Sequence, residues 1–322
     1  MEIHDNQDAI IKCYICDSEN VTLVRKHLRY NIKRDVFKCD SCGLVFLEPR
    51  EVGDYYETEE YREKYSPVLN QSIDSRELYE ITLPFQKDRV DLIKSHFSTN
   101  TALLDVGCAS GAFLSATRKH VGEIVGIELN KENAAFVENE LGIKVHSKPI
   151  QQIQDYNQYF DVITSFQVLE HIDDPVSFLQ HIKRMLKPGG IVCIEVPNLR
   201  DSLMSVYNVK EYEDFWYREP HVCNYTSESL IFLLDKTGLS GDVITTQSYS
   251  FLNHLHWKIN KGPQARVEIG MSEPLLVDTL ETRNNGIRND LNDWFKKVDS
   301  EYKSILNRHN VGESLVFIGE QN

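Results

Sequence analysis

The chain has 322 residues, 41% hydrophobic and 26% charged, with 49 acidic against 35 basic side chains and a formal net charge of −14. That length suits one large domain with a smaller appendage. The acid excess, with no Lys/Arg run to offset it, makes nucleic acid an unlikely partner, because phosphate binders need a basic footprint. No apolar run is long enough to span a bilayer. The first residues, Met1-Glu2-Ile3-His4-Asp5, lack the basic and apolar regions of a secretory signal, so a cytoplasmic location is expected. Seven cysteines, an odd number, argue against a disulfide framework.

Four of those cysteines come first in the chain as two pairs, Cys13-Tyr14-Ile15-Cys16 and Cys39-Asp40-Ser41-Cys42, with 22 residues between them. Each CxxC turn brings two thiolates to one side of an ion, and two such turns complete the tetrahedron that Zn2+ prefers. Gly43 relieves the crowded backbone after the second pair, and Lys12 and Lys38 can offset the negative charge of four thiolates. A hairpin from 21–24 and 35–37 fills the gap. With all four positions used, the ion is structural rather than catalytic. Residues 1–48 are therefore read as a zinc-ribbon module. Cys108, Cys193 and Cys223 are spread along the chain and are expected to pack as small apolar groups.

Residues 49–74 form an acidic, tyrosine-rich connector punctuated by Pro49 and Pro67. Its tyrosines are expected to cover the edge of the core, with Tyr56 or Tyr61 in a lid over an acceptor as the alternative. A domain over 75–322 follows. It opens on an amphipathic helix from Leu78 to Phe97, marked by Leu83, Val90, Ile93 and Phe97. Strands are expected at 102–106, 123–128, 143–146, 160–166, 190–196, 241–249 and 314–320, and helices at about 111–120, 131–141, 173–187 and 226–237. This alternation implies an α/β fold: a doubly wound, mostly parallel seven-stranded sheet. An insertion at 252–312, before the last strand, carries His254 and His256 and a long helix from about Leu275 to Asn307. The apolar face of that helix is read as Trp294, Phe295, Val298, Tyr302, Ile305 and Leu306. Lying beside the sheet's carboxyl edge, the insertion is placed to cover a substrate.

Within this alternation the run Leu103-Leu104-Asp105-Val106-Gly107-Cys108-Ala109-Ser110-Gly111 carries the most chemistry. A strand ends in an acidic residue, turns through two glycines and opens a helix whose free amides face a ligand. Cys108 and Ala109 break a GxGxxG pattern, and no Lys-Ser/Thr grips a phosphate. Asp105 would repel pyrophosphate but could meet a cationic amine. The second strand ends in Glu128, which can accept both hydroxyls of a ribose. An amine, a ribose and no phosphate describe an S-adenosyl amino acid.

Downstream, Phe160-Asp161-Val162-Ile163 leads to Val168-Leu169-Glu170-His171-Ile172, and Leu186-Lys187-Pro188-Gly189-Gly190 precedes Glu195-Val196-Pro197-Asn198. Together with the glycine turn, these segments resemble the class I S-adenosylmethionine-dependent methyltransferases over roughly 75–250 plus the final strand. The resemblance implies that Asp105, Gly107, Ala109, Gly111 and Phe113 line the methionine end of the cofactor, that Glu128 and Leu129 hold the ribose, and that Gln167, Val168 and His171 border the sulfonium. Two departures stand out. Ala109 replaces a usual glycine, and Ser147-Lys148-Pro149-Ile150 stands where an acidic adenine contact is common, which leaves the adenine contacts open.

A four-cysteine module ahead of this fold is similar to bacterial methyltransferases of deoxysugar and surface-glycan biosynthesis. So is the segment from Glu219 to Leu230, where that group places a His over the acceptor and where Thr226 or Ser227 would cap a helix. The resemblance implies a small-molecule acceptor, a sugar or nucleotide-activated sugar. It makes His221 the first candidate base, His171 the second, and His254 and His256 the third, with Tyr225 beside them. An RNA base methyltransferase gripping RNA with the zinc module is one alternative; a non-catalytic adenosyl-binding subunit is another. The oligomeric state is not encoded in any motif.

Overall fold

The computed structural model describes residues 10–49, 64–69, 71–277 and 284–321. Tyr56 and Tyr61 lie outside these described residues. In chain order the elements are β1 (Val21–His27), β2 (Lys33–Cys39), β3 (Val45–Leu47), α1 (Ser75–Thr82), α2 (Gln86–Ile93), β4 (Ala102–Val106), α3 (Ala112–Thr117), β5 (Glu123–Ile127), α4 (Lys131–Leu141), β6 (Lys144–His146) and β7 (Phe160–Phe166). They continue as α5 (Pro175–Met185), β8 (Leu186–Pro197), α6 (Ser202–Ser205), α7 (Lys210–Trp216), β9 (Cys223–Asn224), α8 (Ser227–Thr237), β10 (Leu239–Thr246), α9 (Phe251–Asn260), α10 (Val267–Met271), α11 (Asn285–Arg308) and β11 (Ser314–Gln321).

Seven strands form one sheet in the order β10-β11-β8-β7-β4-β5-β6. The pairs from β8 to β6 are parallel, and β11 runs antiparallel to both β8 and β10. This is the α/β architecture expected from the strand–helix alternation. The central strand β4 is buried along its whole length, so it reads as a continuous apolar run rather than an alternating one. Helix starts follow local chemistry. Asn130 caps α4 by accepting from two backbone amides, and Pro175 sits in the first turn of α5 behind the cap Asp174. Thr226, not Ser227, caps α8.

Among the boundaries that differ from the sequence reading, including a strand that begins at Leu186 rather than 190, three have a local reason. The helix expected over 78–97 is two helices, because Pro84 lacks the N–H of a helical bond and a 3-10 turn at Leu83–Phe85 intervenes. The strand expected to reach residue 249 stops at Thr246. The amides of Ser248 and Tyr249 leave the ladder and donate to the Glu313 carboxylate at 2.8 and 3.2 Å. The long helix begins at Asn285, and Phe295 and Leu306 are buried while Trp294 is 56% exposed. At about 100° per residue, Trp294 and Ile305 fall roughly 80–100° off the line through Phe295, Tyr302 and Leu306, beyond the stripe that can face the core.

Residues 10–48 do not pack as a detached module. Strands β1, β2 and β3 form an antiparallel sheet whose fourth strand is β9, from far along the chain, with Phe46 opposite Cys223. Cys13, Cys39, Cys42, Leu44 and Phe46 are buried in the same apolar cluster as Leu104, Ile163 and Ile194 of the large sheet. On the other side of the cavity described below, residues 67–69 run beside 265–267, with Leu69 N donating to Ala265 O and Val267 N to Pro67 O.

Candidate active site

The glycine turn is assembled from one βαβ unit. After β4 the amides of Gly107 and Cys108 both donate to the carbonyl of Ile127 at the end of β5, at 2.8 and 3.0 Å, which draws the turn across the strand ends. Gly107, Ala109 and Gly111 all have positive φ, at 80°, 46° and 78°. Gly107 also has no room for a side chain, since a Cβ there would lie 2.3 Å from Val168 Cγ2. Ala109, the departure from glycine, holds the left-handed conformation with its methyl in place. Glu128 reaches back to the turn and accepts from the amides of Ala109 and Asn130 at 2.8 and 2.7 Å. Burial raises its pKa, while these amides pull the other way. Asp105 is fully enclosed and accepts from Thr164 Oγ1 at 2.7 Å. Burial pushes its pKa up to about 7, so a cationic partner would be needed to hold it ionised at neutral pH.

Not every residue assigned to the cofactor faces it. Phe113 is a core residue, packed edge-on against Phe166 at 4.8 Å. The Leu129 side chain is 53% exposed. Gln167 takes a positive φ of 59°, unusual for a side chain of its size, and donates from its amide group to Glu195 Oε1 at 2.8 Å. The residue after it, Val168, is the one that lies on Gly107.

Beside Gln167 opens a cavity of about 690 Å3. Its walls include the aromatic rings of Phe85, Tyr212, Phe215, Trp216, Tyr249 and Trp257, from the first helices, α7 and the insertion. His221 lines it and is almost wholly buried. Arg218 Nε–H donates to His221 Nε2 at 2.9 Å, which fixes that ring as neutral with its proton on Nδ1. Burial, with Arg218 and His171 adding to it, lowers the pKa well below the ordinary histidine value. His171 stands against His221 with ring centroids 4.9 Å apart. Its Nδ1 donates to Pro220 O at 2.7 Å, so its Nε2 also carries a lone pair. Near both rings lies Glu170, its carboxyl oxygens buried and without a hydrogen-bond partner among the described residues, with Oε1 3.9 Å from His171 Nε2 and 4.0 Å from His221 Nε2. Burial raises Glu170 to about 8. These three side chains lie close enough to hold a metal ion by distance alone, but the Arg218 cation already occupies the His221 lone pair that a metal would need.

The third pair of histidines divides. His254 lines the cavity, tied to Tyr302 Oη at 2.5 Å and to the Gln247 amide at 3.3 Å. His256 points the other way along α9 and contacts Asn260, one turn on. Tyr225 is fully buried in the core, its hydroxyl 3.5 Å from the Leu169 carbonyl, and does not line the cavity.

Several cavity residues carry no sequence signal. Arg89 makes a two-pronged ion pair with Glu195, at 2.9 and 2.8 Å, across 106 positions of chain, and stacks over Phe166. Glu313, from the loop before β11, is held by two backbone amides and Gln247. Arg29 arrives from the β1–β2 hairpin and Arg218 from the stretch after α7. A lone Arg or Glu between elements has no spacing that marks it, and only the closing of the fold brings these together.

The four cysteines do come together. Cys13 Sγ lies 3.4 Å from Cys42 Sγ and Cys16 Sγ 3.5 Å from Cys39 Sγ, and all four sulfurs fall within 4.8 Å of one another. A tetrahedral zinc site with bonds near 2.3 Å would separate the sulfurs by about 3.8 Å, so the donor set fits the ion. Lys12 pairs with Glu19 at 3.3 Å instead of facing the thiolates.

A family model described as a methyltransferase domain matches residues 75–242. Among curated proteins, the ubiquinone biosynthesis O-methyltransferase of Aliivibrio fischeri (strain MJ11) is 28% identical over 158 residues, covering 46% of this chain and 68% of that protein. An uncharacterized methyltransferase of Schizosaccharomyces pombe is 33% identical over 125 residues, covering 34% and 44%. Among solved structures, a SAM-dependent methyltransferase from Archaeoglobus fulgidus superposes with a TM-score of 0.47 at 19% identity, covering 74% of this chain and 94% of that one. With just over half of its length matched by that family model, and a glycine turn of the kind the family requires, the chain belongs to the methyltransferase-domain family and is an S-adenosylmethionine-dependent methyltransferase.

Proposed function

We propose that the chain methylates an oxygen of a small-molecule acceptor held in the aromatic cavity, with His221 taking the acceptor's proton. One observation carries this reading: consecutive residues Gln167 and Val168 face the two sides of the reaction. Val168 lies on Gly107 of the donor turn, while Gln167 lines the acceptor cavity. Donor and acceptor thus share a wall, the arrangement that an in-line transfer demands. S-adenosylmethionine supplies a methyl group on an already activated sulfonium. What the chain adds is position and a site for the proton, and the Nε2 lone pair of His221 can receive it once Arg218 turns aside.

Two acceptor classes suit the cavity. The segment from Glu219 to Leu230 and the cysteine module favour a sugar or nucleotide-activated sugar, as in the bacterial enzymes that they resemble. The relatives named as ubiquinone biosynthesis O-methyltransferases favour a hydroxylated aromatic ring. Seven aromatic side chains around the space, Tyr65 among them, can stack on either. A labelled-methyl assay against nucleotide sugars and dihydroxybenzoates distinguishes them. With the accepted compound, His221→Ala lowers kcat roughly 10²-fold while S-adenosylhomocysteine binds as before; unchanged single-turnover rates would remove His221 from the role.

The four thiolates are proposed to hold a structural Zn2+. Their burial against the main core speaks for that role over one in gripping RNA, because buried ligands present no surface to a polyanion. Elemental analysis of purified protein should find one zinc per chain. Cys39→Ser should lose it and lower Tm, since Cys39 is buried at the end of β2, in the middle of the sheet that β3 joins to β9.

A further inference from the structure

Among the described residues, two arginines in the acceptor cavity have no carboxylate at ion-pair distance. Arg29 is 8% exposed, its Nε–H donates to the Phe215 carbonyl, and its guanidinium lies over the Phe215 ring, 3.3 Å from the centroid. Arg218 spends its Nε–H on neutral His221. Among the described residues neither has a carboxylate within 4 Å, whereas Arg25, Arg76, Arg89, Arg200 and Arg266 each do. The two cations also oppose each other: after burial itself, the charge of Arg218 is the largest cause of the fall in the Arg29 pKa, to about 9.

The cavity's own acids do not serve these arginines. Glu313 is held by the Ser248 and Tyr249 amides, and Asp201 by the Leu203 amide and Tyr212. Glu195 belongs to Arg89. Asp88 makes no ion pair with either arginine, and Glu170, which does not line the cavity, makes no bond to either guanidinium; burial raises its pKa to about 8 even though the Arg218 charge favours its ionised form.

The backbone that delivers Arg29 is constrained. The two residues after it, Tyr30 and Asn31, both sit in the left-handed region at φ 61° and 58°, and the Arg29 amide donates to Tyr217 O at 2.6 Å. A backbone held in this region persists where the surroundings impose it. Here it aims a cation from the amino-terminal hairpin into the cavity of the catalytic domain.

We propose that Arg29 and Arg218 form an anion subsite, and that the acceptor carries a phosphate or carboxylate which they grip while its hydroxyl faces the methyl donor. This deepens the proposed function and rests on it for the position of the acceptor. Guanidinium forks match the oxygens of either anion in pairs. The subsite also gives the amino-terminal hairpin a part in recognition. An anion that draws Arg218 to itself frees the Nε2 lone pair of His221, so acceptor binding and exposure of the proton-accepting atom become one event.

The test is calorimetric titration of the full-length protein, loaded with S-adenosylhomocysteine, with pyrophosphate and separately with benzoate. Saturable binding of at least one is expected, weakened 10-fold or more by Arg29→Gln and by Arg218→Gln, with Arg218→Lys in between. Pyrophosphate alone points to a phosphorylated acceptor and benzoate alone to a carboxylated one. If Arg29→Gln does not fold, the Arg218→Gln and Arg218→Lys pair decides. The inference is overturned if neither anion saturates the wild-type protein, or if the folded variants stay within twofold of it. Failure of S-adenosylhomocysteine to bind would instead strike the proposed function, and titrating the cofactor-free protein would still decide on the subsite.

Discussion

The glycine turn from Leu103 to Glu128 occupies one βαβ unit, with Val168 packed on it from farther along the chain, whereas the proposed acceptor cavity gathers Arg29, Arg89, Glu195, His221, His254 and Glu313 from separate segments. Within that turn, the hydrogen bonds close over about 20 residues: Gly107 and Cys108 bond to Ile127, and Glu128 bonds back to Ala109. On the acceptor side the holding contacts are long, with Arg89 reaching Glu195 and the Ser248 and Tyr249 amides reaching Glu313. A locally built site can be damaged without loosening the fold. A site built from distant pieces shares its fate with the packing of the whole.

The sharpest way to break that comparison is Glu195→Gln. It leaves the Arg89 cation buried without its partner and removes an acceptor from Gln167, so global stability should fall by roughly 3–5 kcal/mol in a urea titration. A loss under about 1 kcal/mol would mean that the long contacts do not hold the acceptor side together. Gly107→Ala tests the other half. The new methyl must displace Val168, and the backbone must keep a positive φ with a side chain attached. S-adenosylhomocysteine affinity should drop about 10²-fold, or about 2.7 kcal/mol, with the urea midpoint moved far less than in Glu195→Gln. Equal losses in both measurements would show the donor turn to be as global as the cavity. The smallest effect belongs to His256→Ala, on the outer side of α9. Stability should change by less than about 0.5 kcal/mol and turnover should hold, because the ring lies outside the cavity and is hydrogen-bonded to Asn260 on the same helix. A large loss of turnover would return His256 to the acceptor side.

Legibility in the sequence follows the same division. Strand ends, helix caps and the glycine turn were readable because each is a short pattern whose cause is local: a cap residue, a positive φ, an apolar run. The paired cysteines were readable for the same reason, each CxxC being a complete half-site. His221 stood out through the segment around it, yet its tie to Arg218 did not. Tyr225 was misplaced because an aromatic side chain in a motif can face either the core or a cavity, and only packing chooses between them.

By itself, then, the sequence determined the sheet, the donor turn and the cysteine cluster, since their geometry follows from residues close together in the chain. The tertiary structure alone decided that the amino-terminal hairpin joins β9 in one sheet and sends Arg29 into the acceptor cavity, where it faces Arg218. The physical reason is that an ion pair, a repulsion between like charges or a stacked ring depends on distance in space, and nothing at position 29 reveals that position 218 will lie beside it.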